Sequence, residues 1–211
     1  MEIHAPKAPH SFKEFLRELV TITAGILIAL SLEGVLEWNH HRHLVKEARA
    51  NILSEIRENK KELENARHDF ATQVQQIHAM VALVHALQQH KKTDVKSLQY
   101  IWTMAELHST SWSTSSNTGA LSYMPYTEVK RYTEIYDLQK DYADLQQRGF
   151  ASSLEVEGLM TLLDRGLNTL SPSELSDAEK RIGIAFANTS ALQQFSEPLR
   201  MRYDEALSAK E

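Results

Sequence analysis

Three histidines stand together at His40, His41 and His43, and His40 with His43 has the spacing that sets two imidazoles on one helical face toward a metal ion. No third ligand accompanies them, so no metal site is expected, and interfacial side chains are the plainer reading. His41 follows Glu37 by one helical step of four, which suits a pair between those two. His78 and His85 share a face two turns apart, roughly 10 Å, too far to hold one ion. Thr127-Glu128-Val129-Lys130 has a hydroxyl-x-x-Lys spacing with nothing around it to activate the hydroxyl. The serines within residues 109–116 read as helix-surface or capping groups. There is no G-x-S-x-G, H-E-x-x-H, P-loop or G-x-G-x-x-G pattern. With no cysteine, thiolate chemistry and a disulfide framework are excluded. The expectation is a protein that is not an enzyme and carries no cofactor.

The other chemistry-bearing feature is aromatic. Six of the seven tyrosines and two of the three tryptophans fall within residues 100–142. Tyr100, Trp102, Trp112, Tyr123, Tyr126, Tyr132 and Tyr136 could line a rigid groove for a peptide or small ligand. The same residues equally describe an aromatic bundle core whose hydroxyls reach the rim.

These residues need helices to position them. Seven glycines and five prolines in 211 residues are few, so long helices with little turn chemistry are expected. Residues 44–92 contain neither Gly nor Pro. Val45, Ala48, Ile52, Ile56, Leu63, Ala66, Phe70, Val74, Ile77, Val81, Val84 and Leu87 recur there at three- and four-residue steps, the mark of one long amphipathic helix. Asn59 and the weak alanines argue against its use as a coiled-coil seam and favour packing against the later helices. Asp94 is expected to cap a helix through Leu107. Trp112, Gly119 and Tyr123 fall on one helical face, where a side chain at Gly119 would overpack the core. Pro125 suits the first turn of a helix to Gln147, Gly149 its stop, and Ser152 or Ser153 the start of another to Leu170. Ser171-Pro172-Ser173-Glu174 is a capping box. The last helix carries Ile182, Phe186, Leu192 and Phe195, with a kink or break at Pro198. The fold class is all-α, a bundle of about five or six helices.

Near the N-terminus, residues 19–32 (LVTITAGILIALSL) carry no charge in a chain that is 24% charged. Extended to 16–38, the stretch makes roughly 34 Å of helix at about 1.5 Å per residue, enough for a hydrocarbon core of about 30 Å. Trp38 suits the water–lipid interface. The alternatives are a cleaved signal peptide, a buried helix of a soluble bundle and an in-plane amphipathic helix. A spanning anchor is preferred because the segment is apolar all round and helical sequence continues past Ser31 without a breaker. The chain then divides into a tail (1–15), an anchor (16–38) and a helical domain (39–211), the last comprising the long helix 44–92, aromatic-rich helices 94–149 and C-terminal helices 150–211. Thr21, Gly25 and Ala29 are spaced by four and Glu33 continues the stripe, which would let two anchors associate into a homo-oligomer. Lys and Arg counts on the two flanks tie, so the positive-inside rule does not orient the anchor. A periplasmic domain is favoured because the short tail is easily retained inside. A net charge of −5 gives no basic footprint for nucleic acid.

The N-terminus resembles a family of uncharacterised bacterial single-pass membrane proteins. The likeness is carried by 12–18, the 20–32 span with its Gly25-Ile26-Leu27-Ile28-Ala29-Leu30 core, Glu33, Glu37 and Trp38, then the charged helix. It continues through Trp112, Thr118-Gly119-Ala120-Leu121, Met124-Pro125-Tyr126 and Ile135-Tyr136-Asp137-Leu138-Gln139. Ser31 and Leu32 depart from it, as does a single Trp where a pair is frequent. The resemblance implies an inner-membrane, anchored all-α protein and supplies no catalytic residues. Two functions stand: a scaffold or protein-interaction module whose partners are the lipid bilayer, another copy and a further protein, or an anchored sensor that binds a ligand through 100–142.

Overall fold

The computed structural model describes residues 11–91, 93, 99–164, 166 and 169–209, with the backbone alone for 162–164. The chain is all-helical, with no strand among the described residues. Its elements are α1 (Phe12–Gln88), α2 (Thr110–Asn117), a 3-10 helix (Ala120–Tyr123), α3 (Tyr126–Asp164) and α4 (Pro172–Ser208). Among the described residues, the expected five or six helices become four α-helices and this short 3-10 turn. It forms two compact units, Met1–Glu47 and Ala48–Glu211.

In the first unit, α1 is apolar on every side. Its large apolar side chains from Leu16 to Leu36 are 48–72% exposed. It is long and apolar enough to cross a membrane, by length and composition, and none of its most apolar window is buried. The Thr21 and Ser31 hydroxyls turn back to donate to the Arg17 and Leu27 carbonyls at 2.9 and 2.6 Å, which satisfies them inside the helix.

In the second unit, α1 buries Ala48, Ile52, Ile56, Leu63, Ala66, Phe70, Ile77, Met80, Val84 and Leu87, the stripe that the three- and four-residue spacing implies. Fully burying such a side chain contributes about 1.5–3 kcal/mol. One end of the core joins Ile77, Met80, Leu83, Val84 and Leu87 to Val156 of α3 and to Leu175, Ala178, Ile182 and Ala185 of α4. Helix α1 ends in a left-handed residue, His90 at φ 57°, with Lys91 N–H donating to the Ala86 carbonyl and His90 N–H to the Leu87 carbonyl. These are the paired bonds of a Schellman stop.

Side-chain bonds fix the directions. Arg49 meets Glu128, Glu55 meets Tyr136 and Asn59 meets Gln139, so α1 and α3 run parallel. Lys60 pairs with Asp204 at 2.7 Å, Arg67 with Glu197 at 2.5 Å and His85 with Glu179 at 3.2 Å, so α4 runs antiparallel to α1. Parallel neighbours require a crossover. Residues 99–109 supply it, and they are not helical.

The helix expected from Asp94 to Leu107 is therefore corrected over its described part; Asp94 itself lies outside the described residues. Geometry gives the reason. Ile101 bonds to Gln76 and Ser111 to Glu55. Between those points α1 rises roughly 32 Å at about 1.5 Å per residue. Ten steps of extended chain cover about 33 Å, at about 3.3 Å each, whereas ten helical steps cover only about 15 Å.

Three other expectations change. Helix α3 runs through Gly149 rather than stopping there. A Cβ at Gly149 would collide with the Trp102 ring, so the glycine serves close packing. Ser152 and Ser153 start no helix; their hydroxyls donate to the Gly149 and Phe150 carbonyls at 2.8 Å. Gly119 lies beyond α2 at φ 76°, with nothing within 4 Å of a Cβ placed there. Its role is backbone conformation, not packing. Helix α4 continues through Pro198, and its Ser171–Glu174 capping box is formed as the sequence implies.

Candidate functional site

The aromatic residues divide. Trp112 stacks on Tyr136 with ring centroids 5.2 Å apart and planes at 11°, and meets Tyr132 edge-on at 6.5 Å. Tyr132 and Tyr136 are buried. Trp102 lies against Gly149, and Tyr100 packs beside the Ile77–Leu175 end of the core. Tyr123 and Tyr126 are more than half exposed. Two open clefts, of about 560 and 400 Å³, are lined by other residues: Asp141, Arg148 and Phe195 at the α3–α4 seam, and Asn51, Glu55, Glu58 and His108 beside α2. None of the seven aromatics lines either cleft.

The polar residues of the buried stripes converge instead, on the crossover segment. Asn59 is fully buried; its amide accepts His108 N–H at 2.8 Å and donates to the His108 carbonyl at 2.7 Å. Gln139 donates to the same carbonyl at 2.7 Å, and its own Oε1 accepts from Tyr203 at 2.9 Å. Gln146 repeats the two-pronged grip on Ala105, accepting N–H at 2.7 Å and donating to the carbonyl at 3.0 Å. Gln76 accepts Ile101 N–H at 3.0 Å, and Gln73 donates to the Thr103 hydroxyl at 2.9 Å. Side-chain amides of α1 and α3 thus hold an extended segment chiefly by its main chain. Buried amide groups without such partners would be costly.

Glu55 completes the set. Its carboxylate accepts Ser111 N–H at 2.7 Å, Trp112 N–H at 3.4 Å and the Tyr136 hydroxyl at 2.6 Å. Ser109, at the N-cap of α2, makes no side-chain cap bond, so a carboxylate from α1 satisfies the first-turn amides. Burial, then the bond to Glu55, pushes the Tyr136 phenol far up, so it stays a neutral donor. Burial does the same for Tyr132, Tyr142 and Tyr203. Tyr100 is also raised by burial, partly offset by the Thr189 hydroxyl. Nearby, Arg49 grips Glu128 with two bonds at 2.7 and 2.8 Å and Tyr132 adds a third at 3.1 Å; the Arg49 bond is the main cause holding Glu128 below the usual carboxylate range.

Among the described residues no three His, Cys, Asp or Glu side chains are grouped to hold a metal. His43 sits 4.0 Å from Glu47, and the Arg42 guanidinium lies 5.4 Å over the Trp38 ring. In the anchor stripe, Thr21, Gly25, Ala29 and Glu33 are all exposed, and nothing lies within 4 Å of a Cβ at Gly25.

Sequence reasoning passed over Glu55, Gln73 and Gln146, and took Asn59 only as an interruption of the apolar seam. The signal was present: Glu55, Asn59 and Gln73 fall on the same three- and four-residue steps as Ile52, Leu63, Phe70 and Ile77. A polar residue in phase with a buried stripe needs a buried partner. No protein-family model, no curated protein and no solved structure matches the chain, so its function is read from its own residues.

Proposed function

We propose that the chain is a single-pass bacterial inner-membrane protein whose residues 16–38 span the bilayer, and that its helical domain is a non-enzymatic scaffold or protein-interaction module on the periplasmic side. The observation that carries this reading is the first unit of α1, where large apolar side chains face outward on all sides and none of the most apolar window is buried. Apolar surface on that scale belongs in lipid or against a partner. Tyr132 and Tyr136 are buried, with the half-buried Trp112 packed against both, and this supports a scaffold over a ligand sensor, because the two tyrosine rings fill a core and none of the three lines either cleft. The family likeness of the N-terminus points the same way. Alkaline carbonate should leave the protein in the membrane pellet. Recovery in the soluble fraction would refute the anchor. A reporter enzyme active only outside the cytoplasm, fused after Glu211, should be active, and a well-expressed inactive fusion would reverse the orientation.

A further inference from the structure

The crossover segment is held as a peptide ligand is held. Six of its bonds to Gln76, Gln146, Asn59 and Gln139 go to main-chain atoms of Ile101, Ala105 and His108, and these atoms are the same in any extended peptide. Its side chains give uneven cover: Tyr100 and Trp102 are half-buried, beside the Ile77–Leu175 end of the core and against Gly149. Ile101 and Met104 are 57% and 53% exposed, and Ala105 is its one buried apolar residue. A non-helical segment with one buried side chain is the kind that opens before the helices around it. Two features confer selectivity: Gly149 leaves room for a large aromatic ring, filled here by Trp102, and the grip of Gln146 falls on a small residue three positions later.

We propose that the groove between α1 and α3 is a peptide-reading site, with residues 99–109 as its built-in occupant. When that segment is released, the groove takes an extended segment of a second polypeptide carrying a large aromatic residue followed three positions later by a small one. This rests on the interaction-module reading and names the chemistry of the partner. Main-chain bonds supply affinity and the aromatic pocket supplies choice, as where peptides bind by strand addition.

The test uses the full chain in detergent and a fluorescent synthetic peptide of residues 99–112. The wild type should bind it weakly, because its own segment competes. Trp102→Ala should bind it about tenfold more tightly if the released fraction rises about tenfold. Ile101→Pro removes one main-chain donor at an exposed side chain. It serves as a second release variant and should shift binding in the same direction. Adding Gln146→Ala to either should abolish the gain, and a scrambled peptide should not bind. The proposal is overturned if a helical release variant binds no more peptide than the wild type, or if the scrambled peptide binds equally. Carbonate extraction on the same preparations reads the anchor separately, so failure of the groove and failure of the anchor are distinguishable.

Discussion

The Glu55 carboxylate accepts the main-chain N–H of Ser111 at 2.7 Å, capping a helix that begins more than fifty residues further along the chain. Helix caps are usually local, since the neighbouring Ser, Thr, Asp or Asn is already in reach. Here α2 is eight residues long and its N-cap serine makes no such bond. Its start is therefore fixed by tertiary structure.

Glu55→Ala should lower the stability of the domain by about 1–3 kcal/mol, because two amides and the Tyr136 hydroxyl lose a buried acceptor. Thermal unfolding reads the loss. Hydrogen exchange should show the Ser111 and Trp112 amides deprotected first, and unchanged protection there would mean that water caps α2 as well as Glu55 does.

Gly119→Ala and Gly119→Leu should cost similar amounts, about 1–2 kcal/mol, because the left-handed backbone penalises any Cβ while space around the position is open. Gly119→Asn should cost less, since Asn tolerates that conformation. If Leu proved far worse than Ala in melting experiments, packing rather than φ would govern the site.

Acid should weaken the Arg49–Glu128 clamp. The Glu128 pKa is lowered in the folded protein from its ordinary 4.5, so the stability it contributes is full above 4.5 and is lost as pH falls through the folded value. Glu128→Gln should be less stable than the wild type at pH 7 and should lose less on acidification below 4.5. Parallel acid titration curves for the two proteins would show that the clamp contributes nothing.

We propose that the anchors associate through Thr21, Gly25 and Ala29, with Glu33 shielded by the partner helix or by water. Gly25→Ile would hold two backbones apart without reducing hydrophobicity. It should lower the signal of a membrane-helix association reporter carrying residues 13–42, whereas Ile28→Leu, off this face, should not. Equal signals from all three would rule the face out.

The amphipathic register of α1, the Ser171 cap and the all-helical class were legible because each is local. The periodicity of Ile52, Leu63, Phe70 and Ile77 needs no knowledge of partners. The expected break at Gly149 failed because glycine has two uses that look alike in one dimension. Conformation explains Gly119, and the Trp102 ring explains Gly149. The expected helix through Leu107 failed for a similar reason. Its composition permits a helix, but the distance spanned between Gln76 and Glu55 of α1 demands extended chain. The contacts among Asn59, Gln139 and His108 join three separate segments, and no short-range pattern announces such a meeting.

The cross-helix polar pairs of α1 and α4 act as a vernier. From Lys60 to Arg67 to His85 the chain advances seven and then eighteen residues, and from Asp204 to Glu197 to Glu179 it returns by the same steps. Eighteen residues are five whole turns and seven nearly two, so the three pairs stay on one seam. Sliding α4 by four residues one way sets Lys60 against Arg200 and Arg67 against Gln193; the other way, Lys60 meets Ser208 and Arg67 meets Met201. Exposed ion pairs contribute little to stability, but two of them in step with the His85–Glu179 hydrogen bond penalise misalignment of the two apolar stripes. Insertion of a single residue between Arg67 and His85 would turn the far pair by about 100° and leave the two halves of the seam in conflict.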